Sequence, residues 1–291
     1  MTPRLTVVIP TRNRWSILER TLAALEEQTP EARPFEAVVV DDGSSDETPV
    51  RLAAFRPRSF AFRTLRSAGR GPAAARNAGI ALAAAPRVIL LGDDTMPRPD
   101  ALGRHLSDAE AAVGRQGYIA WHPEEEITPF MRFLAPAGPQ FYFANLVAGA
   151  PVPYTAVLGS NLSAPTSWFR EERFDERFPA AAFEDTELAF RWRRRGWTTL
   201  YSPDAVCWHS HRYDAIEPFL KRQRVAGRAA RYAVRKHPSL ILPTFVQPLA
   251  VGLARSALAR LRPRRVEDDW EVQTRRAFFQ GWFAPKRGDR C

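Results

Sequence analysis

The sequence predicts an α/β protein: a doubly wound, mostly parallel (mixed) sheet flanked by helices, with a C-terminal helical extension. Three observations carry that expectation. Short runs rich in β-branched residues alternate with helix-period segments through the first half, the pattern of βα repeats on a parallel sheet. Two of those runs, Glu36-Ala-Val-Val-Val40 and Arg87-Val-Ile-Leu-Leu91, are each followed by a carboxylate pair, Asp41-Asp42 and Asp93-Asp94. In such a fold both pairs fall at the carboxyl edge of the sheet, where open α/β proteins bind ligands. Beyond Arg212 the sequence turns basic and helix-periodic.

Residues 5–9 read as the first strand. Residues 16–28 follow as a helix, with Ile17, Leu18, Leu22 and Leu25 sharing a face. Residues 36–40 form the second strand, and the Ser44-Ser45-Asp46-Glu47 cluster caps the next helix. Residues 59–65 are a third strand. Gly69-Arg70-Gly71-Pro72 breaks the chain before an alanine-rich helix over residues 73–84. Strand Arg87–Leu91 comes next, and Pro97-Arg98-Pro99-Asp100 opens a further helix. From about residue 118 to residue 178 periodicity fades while Pro, Gly and aromatics accumulate, as in functional loops. A charged helix over 184–195 ends at Gly196, and residues 197–201 and 205–209 are short strands.

Glu217–Lys236 reads as a basic helix. Residues 239–261 are apolar but interrupted by Pro243, Gln247 and Pro248, short of the roughly 20 continuous apolar residues a spanning helix needs. Leu249, Leu253, Leu258 and Leu261 with Arg255, Arg260 and Arg262 give this stretch an amphipathic cast. The expected division is an α/β domain over 1–211 and a basic, helical extension over 212–291.

At 291 residues the chain buries a sizeable core without covalent staples. Its two cysteines, Cys207 and Cys291, are far apart, so a reduced cytoplasmic compartment is expected and no disulfide framework. The apolar run after Met1 is too short for a secretory signal. The net charge of +10 is concentrated: residues 212–265 hold 13 Lys/Arg and 2 Asp/Glu, and the remainder sums to −1. Tyr213, Phe219, Tyr232 and Phe245 form no recognisable docking motif there, so no nucleic-acid partner is expected. A solvated helical face and peripheral contact with an anionic membrane, at its inner face, remain.

Several side chains can carry chemistry. Asp42, at a strand end, can accept from a base or a ribose, or serve the capping loop. Asp93 and Asp94 suit one ribose contact and one metal ligand. Arg76, early in its helix, can reach diphosphate oxygens through its planar fork or pair with local acids. Glu184-Asp185 opens a helix, where acids also favour the dipole. His209 and His211 alternate on a strand and so share a face; no Cys or His lies at zinc-site spacing from them.

Together these segments resemble the family 2 glycosyltransferases, which have the GT-A fold. The likeness covers residues 5 to about 211. It rests on Val-Val-Ile-Pro-Thr-Arg-Asn-Arg, Val-Val-Asp-Asp-Gly-Ser-Ser-Asp, Gly-Pro-Ala-Ala-Ala-Arg-Asn-Ala-Gly, Gly-Asp-Asp-Thr, Gly159-Ser-Asn-Leu-Ser163, Phe174-Asp-Glu and Glu-Asp-Thr-Glu-Leu, in that order. The resemblance implies that Pro10, Thr11 and Asp42 line the base pocket, with Arg76 near the nucleotide. It implies that Asp93 meets the ribose, that Asp94 and His209 bind Mg²⁺ or Mn²⁺, and that Asp185 is the catalytic base. One departure is Gly92, which stands at the first position of the family's Asp-x-Asp. The expected partners are a UDP- or dTDP-linked sugar donor and an acceptor hydroxyl, on a lipid-linked glycan for example. Trp121, His122, Tyr142 and Asn161 are candidate contacts for donor sugar or acceptor.

An inverting, non-processive transfer is implied: processive relatives carry spanning helices and Gln-x-x-Arg-Trp, which Gln223-Arg-Val-Ala-Gly227 does not match. A sugar nucleotidyltransferase would carry a Gly-rich loop after the first strand, and a dehydrogenase a G-x-G-x-x-G. Neither is present. A degenerate transferase fold acting as a membrane- or nucleic-acid-binding module is the non-enzymatic alternative.

Overall fold

A computed structural model describes residues 2–106, 112–178, 181–259, 263 and 265–285. Strands β1 (Leu5–Thr11), β2 (Phe35–Asp41), β3 (Ala61–Arg66) and β4 (Arg87–Leu91) run parallel, with β1 between β2 and β4. β1, β2 and β4 are buried along their length apart from the half-buried Pro10, which is why their sequences read as unbroken apolar runs. β3 has only exposed and half-buried positions because it forms one edge.

The sheet has eight strands in the order β3-β2-β1-β4-β7-β6-β8-β5 once β5 (Thr95–Pro97), β6 (Gly114–Trp121), β7 (Asn161–Pro165) and β8 (Thr199–His209) are added. β7 is antiparallel to β4 and β6, whereas β6 and β8 are parallel, so the sheet is mixed as expected. Strand alternation divides the core. Val8, Val88 and Leu90 face α3 (Pro72–Leu82), α6 (Thr166–Glu171) and α7 (Glu184–Arg194). Val7, Ile9, Val39, Ile89 and Leu91 face α1 (Trp15–Glu26), which buries Trp15, Leu18, Leu22 and Leu25. Trp15 thus takes the place on that face expected of Ile17, which is only half-buried.

Three expectations need correction. Residues 97–100 do not simply open a helix: Pro97 ends strand β5, paired with β8, and the helix that follows, α4 (Ala101–Arg104), is a single turn. The supposedly irregular middle supplies β6 and β7. The two short strands near residue 200 are one, β8, which bulges opposite Gly117 and Tyr118 where Pro203 cannot donate to the ladder.

The extension begins with α8 (Glu217–Lys236), passes through a tight turn and a π-helical turn over Leu242–Val246, and continues as α9 (Gln247–Ala259) and α10 (Val266–Phe283). α8 and α10 approach backbone to backbone. A Cβ added at Gly281 would lie 1.9 Å from the Arg224 carbonyl oxygen, and one at Gly227 would lie 2.0 Å from that of Phe278. Tyr232 and Lys236 of α8 donate to Asp175 at 2.9 and 2.8 Å, tying the extension to the rest of the fold. Arg260, Leu261, Arg262, Cys291 and the Leu258 side chain lie outside the described residues. No helix among the described residues is long and apolar enough to cross a membrane.

Candidate active site

Topology brings distant segments to one edge. The carboxyl ends of β1, β2, β4, β6 and β8 and the start of the reversed strand β7 meet there, because Leu91 pairs with Asn161 and Trp121 with His209. Thr11, Asp42, Asp93 and His209 are buried there and Pro10 is half-buried.

The Asp93 and Asp94 side chains share a cation from the chain itself. Arg14, in the loop after β1, places Nη1 2.8 Å from Asp93 Oδ1 and Nη2 2.8 Å from Asp94 Oδ2. Thr11 Oγ1 donates to the other Asp93 oxygen at 2.9 Å. Burial pushes the Asp93 carboxyl up to about 6, against the pull of Arg14. Burial works the same way on Asp94, but its positive surroundings outweigh it and hold that carboxyl below its ordinary value. His209 Nε2 is 3.5 Å from Asp94 Oδ2. Burial drives the His209 imidazole down to about 4, so it is neutral near pH 7, where the Arg14 guanidinium is the cation in contact with Asp94. Trp121 and Phe141 wall it in, with ring centroids 5.5 and 5.2 Å away. His209 Nδ1 has no partner among the described residues. His211 is half-buried, 5.8 Å from His209 ring to ring.

The donor set suits a hard or borderline divalent ion in part. A carboxylate oxygen and a neutral imidazole nitrogen face one another across a gap that one ion can bridge. No group of three or more His, Cys, Asp or Glu among the described residues is arranged to hold a metal. Gly92 is constrained: a Cβ there would lie 2.7 Å from Thr95 Oγ1 and 2.9 Å from Asp94 Oδ1.

Asp42 braces the loop before α3, accepting from Ser67 Oγ at 2.5 Å and from the Gly71 amide at 2.8 Å, with one bond to each oxygen. The neighbouring Asp41 accepts from the Ser44 amide at 2.9 Å. Arg76 makes a buried ion pair with Glu184, Nη1 to Oε1 2.7 Å, the second of the two roles open to it in the sequence. That pair fixes the first turn of α7, which starts just after Phe183 in the left-handed region at φ 65°. Asp185 therefore projects from an anchored turn. Its Oδ2 accepts from the Gly159 amide at 3.0 Å and its Oδ1 from its neighbour's amide at 2.8 Å.

Asn161 is no ligand contact: buried at the start of β7, it donates to the carbonyls of Tyr118 and Ala205 and meets His105 Nε2 at 2.9 Å. Tyr142 lies exposed and His122 at the end of β6. A cavity of about 250 Å³ opens against Tyr118, Trp121, His122, Ile127 and Pro136. Arg14 is the functional candidate that sequence reasoning missed. Its signal was present, a cation in the Pro-Thr-Arg-Asn-Arg loop that directly follows a strand of the acid-rich edge.

The fold has close likenesses. The mannosyltransferase PcManGT from Pyrobaculum calidifontis, solved with GDP-Man and Mn²⁺, superposes with TM-score 0.64 at 21% identity, covering 97% of this chain and 88% of that one. Residues 1–349 of S. aureus TarS, solved with UDP-GlcNAc, give TM-score 0.57 at 16% identity over 96% of this chain and 81% of that one. These likenesses place the mixed sheet, with its acids on the carboxyl edge, in the GT-A fold.

Sequence narrows the class. Residues 6–129 match the model for Glycosyl transferase family 2, so the N-terminal part of the chain carries that family's sequence pattern. Validoxylamine A glucosyltransferase of Streptomyces hygroscopicus subsp. jinggangensis is 28% identical over 319 residues, spanning 99% of this chain and 70% of the relative. Pre-mycofactocin glycosyltransferase of Mycobacterium tuberculosis is 30% identical over 253 residues, spanning 83% of this chain and 50% of the relative. The chain is an enzyme, a glycosyltransferase.

Proposed function

We propose that the chain moves a sugar from a nucleoside diphosphate donor, UDP- or dTDP-linked, to an acceptor hydroxyl, with inversion and with Mg²⁺ or Mn²⁺ bound. Residues 1–211 form the catalytic part and 212–291 the extension. The observation that carries this reading is the convergence of Asp42, Asp93, Asp94 and His209 on one sheet edge, beside a helix whose anchored first turn presents Asp185. The GDP-Man and Mn²⁺ bound by one structural neighbour, and the UDP-GlcNAc bound by another, support it by analogy of fold.

Pro10, Thr11 and Asp42 line the base pocket, and Asp42 reads the edge that uracil and thymine share. Asp93 takes the ribose. Asp94 and His209 hold the ion, which when bound neutralises the leaving diphosphate as a Lewis acid. Asp185 takes the proton of the acceptor hydroxyl as that oxygen bonds to the anomeric carbon and the sugar–phosphate bond breaks on the opposite face. Arg76 acts near the nucleotide through Glu184, holding the turn that carries the base. The acceptor occupies the cavity at Tyr118, Trp121 and His122. Calorimetry with UDP and dTDP, with and without Mn²⁺, followed by a screen of sugar nucleotides for Mn²⁺-dependent hydrolysis, tests this. Metal-dependent binding and turnover of one donor is the expected result; binding of none rejects the reading.

A further inference from the structure

The C-terminal extension carries an apolar surface that nothing in the described structure covers. Among the described residues thirteen large hydrophobic side chains are exposed, and six of them fall within residues 241–253: Ile241, Leu242, Val246, Leu249, Val251 and Leu253. Chance scatter of surface apolar residues needs no explanation, whereas a contiguous patch marks an interaction site. Leu242, Val246, Leu249 and Leu253 recur at helical spacing and form one stripe. α10 touches the other side of this arm, where Gly252 meets the Arg275 side chain.

The charge around the stripe selects the occupant. Residues 218–266 contain twelve Lys/Arg and no Asp or Glu. On α8, Lys221, Arg228 and Arg235 recur every seven residues along one face. All three are exposed, and none has an acidic partner among the described residues. A second copy of the chain would bring a like-charged segment against this one. Nucleic acid would stack on aromatic side chains, and the stripe is aliphatic. An exposed aliphatic surface flanked on both sides by acid-free basic sequence is complementary to an anionic bilayer, which offers apolar chains beneath negative headgroups.

We propose that residues 241–253 form a peripheral membrane anchor. Leu242, Val246, Leu249 and Leu253 enter the headgroup–acyl boundary of an anionic leaflet, and Lys221, Arg228 and Arg235 contribute to its electrostatic attraction. The inference stands on this surface alone and is independent of which sugar is transferred.

The test is co-sedimentation of the full chain with vesicles of phosphatidylglycerol and phosphatidylcholine in equal parts, and with vesicles of phosphatidylcholine alone. Binding should be at least about tenfold tighter to the anionic vesicles and should weaken as salt shortens the Debye length. A Leu249→Asp/Leu253→Asp variant should lose about tenfold or more in affinity with an unchanged melting temperature, since both side chains are exposed. A Lys221→Gln/Arg228→Gln/Arg235→Gln variant should lose the salt-dependent part. Equal failure to bind both vesicle types overturns the proposal, as does undiminished binding by the aspartate variant. Sedimentation velocity closes the remaining route: a dimer of the parent chain that dissociates in the aspartate variant would make the stripe a self-association surface instead.

Discussion

Arg14 Nη2 lies 2.8 Å from Asp94 Oδ2, so the carboxylate assigned to a divalent ion already holds a cation of the chain's own. The same guanidinium reaches Asp93. An ion entering between Asp94 and His209 competes with Arg14 for that oxygen, while a bound diphosphate would offer Arg14 another anion. Arg14→Met should therefore raise the affinity for Mn²⁺ without nucleotide by about tenfold, the scale of one exchanged charge-assisted contact. It should weaken binding of the nucleoside diphosphate with Mn²⁺ present. Calorimetry of each ligand separately checks both signs; equal Mn²⁺ affinity in variant and parent would show that Arg14 does not compete.

Asp185 has one hydrogen bond to each carboxylate oxygen, from the amides of Gly159 and Thr186. Asn at this position keeps the shape and one acceptor but cannot take a proton. Asp185→Asn should lower turnover by about 10²-fold or more, the ordinary scale of general-base removal, with donor affinity close to the parent's. A variant that turns over at the parent rate would remove Asp185 from the role.

His209, the proposed metal ligand, should also shape stability in acid. Its imidazole, driven down to about 4 by burial, is neutral in the folded chain above that pH, whereas the unfolded chain takes up the proton near 6.5. Between these values the folded state binds fewer protons, so this group removes stability as pH falls through the window and costs nothing above it. His209→Gln should flatten the fall in melting temperature of the ligand-free chain between about pH 6.5 and 4.5. The same substitution should weaken Mn²⁺-dependent donor binding, and His211→Gln should do so less. If His211→Gln is the more damaging change, the ligand has been assigned to the wrong histidine.

What the sequence made legible follows from where each signal resides. β1, β2 and β4 are buried runs whose own residues declare them, and α8 has uninterrupted helical spacing. β6 and β7 are not declared locally. Arg115, Gln116, Asn161 and Ser163 are polar residues in central strands, and bonds to residues far along the chain accommodate them: Gln116 donates to the Asn161 carbonyl and accepts from the Leu158 amide, and His105 bonds both Ser163 and Asn161. The acid pairs at the site were legible because each follows its strand directly. Arg14 showed only as a cation just after β1, and its pairing was hidden, since it meets Asp94 across 80 residues of sequence and only the β1–β4 pairing brings the two together.

Gly92 tests whether this site can be returned to the family's Asp-x-Asp pattern. The space beside it is already filled by Thr95 Oγ1 and Asp94 Oδ1, both inside 3.0 Å of where a Cβ would stand. The Thr95 amide also donates to the Gly92 carbonyl at 3.2 Å, closing a tight turn that resists adjustment. An aspartate there would displace those groups and set a third carboxylate beside two that share one guanidinium. Gly92→Asp should cost on the order of 1–3 kcal/mol, the range for forcing atoms into a packed site, and the loss should be larger at pH 7 than at pH 4.5, where a carboxyl more readily stays protonated. Its Mn²⁺ affinity should not exceed the parent's, because the displaced Asp94 is itself the proposed ligand. Thermal unfolding at the two pH values and Mn²⁺ calorimetry measure these effects. A variant that melts with the parent and binds Mn²⁺ at least about tenfold tighter would show that glycine at position 92 leaves a ligand position open instead of excluding one.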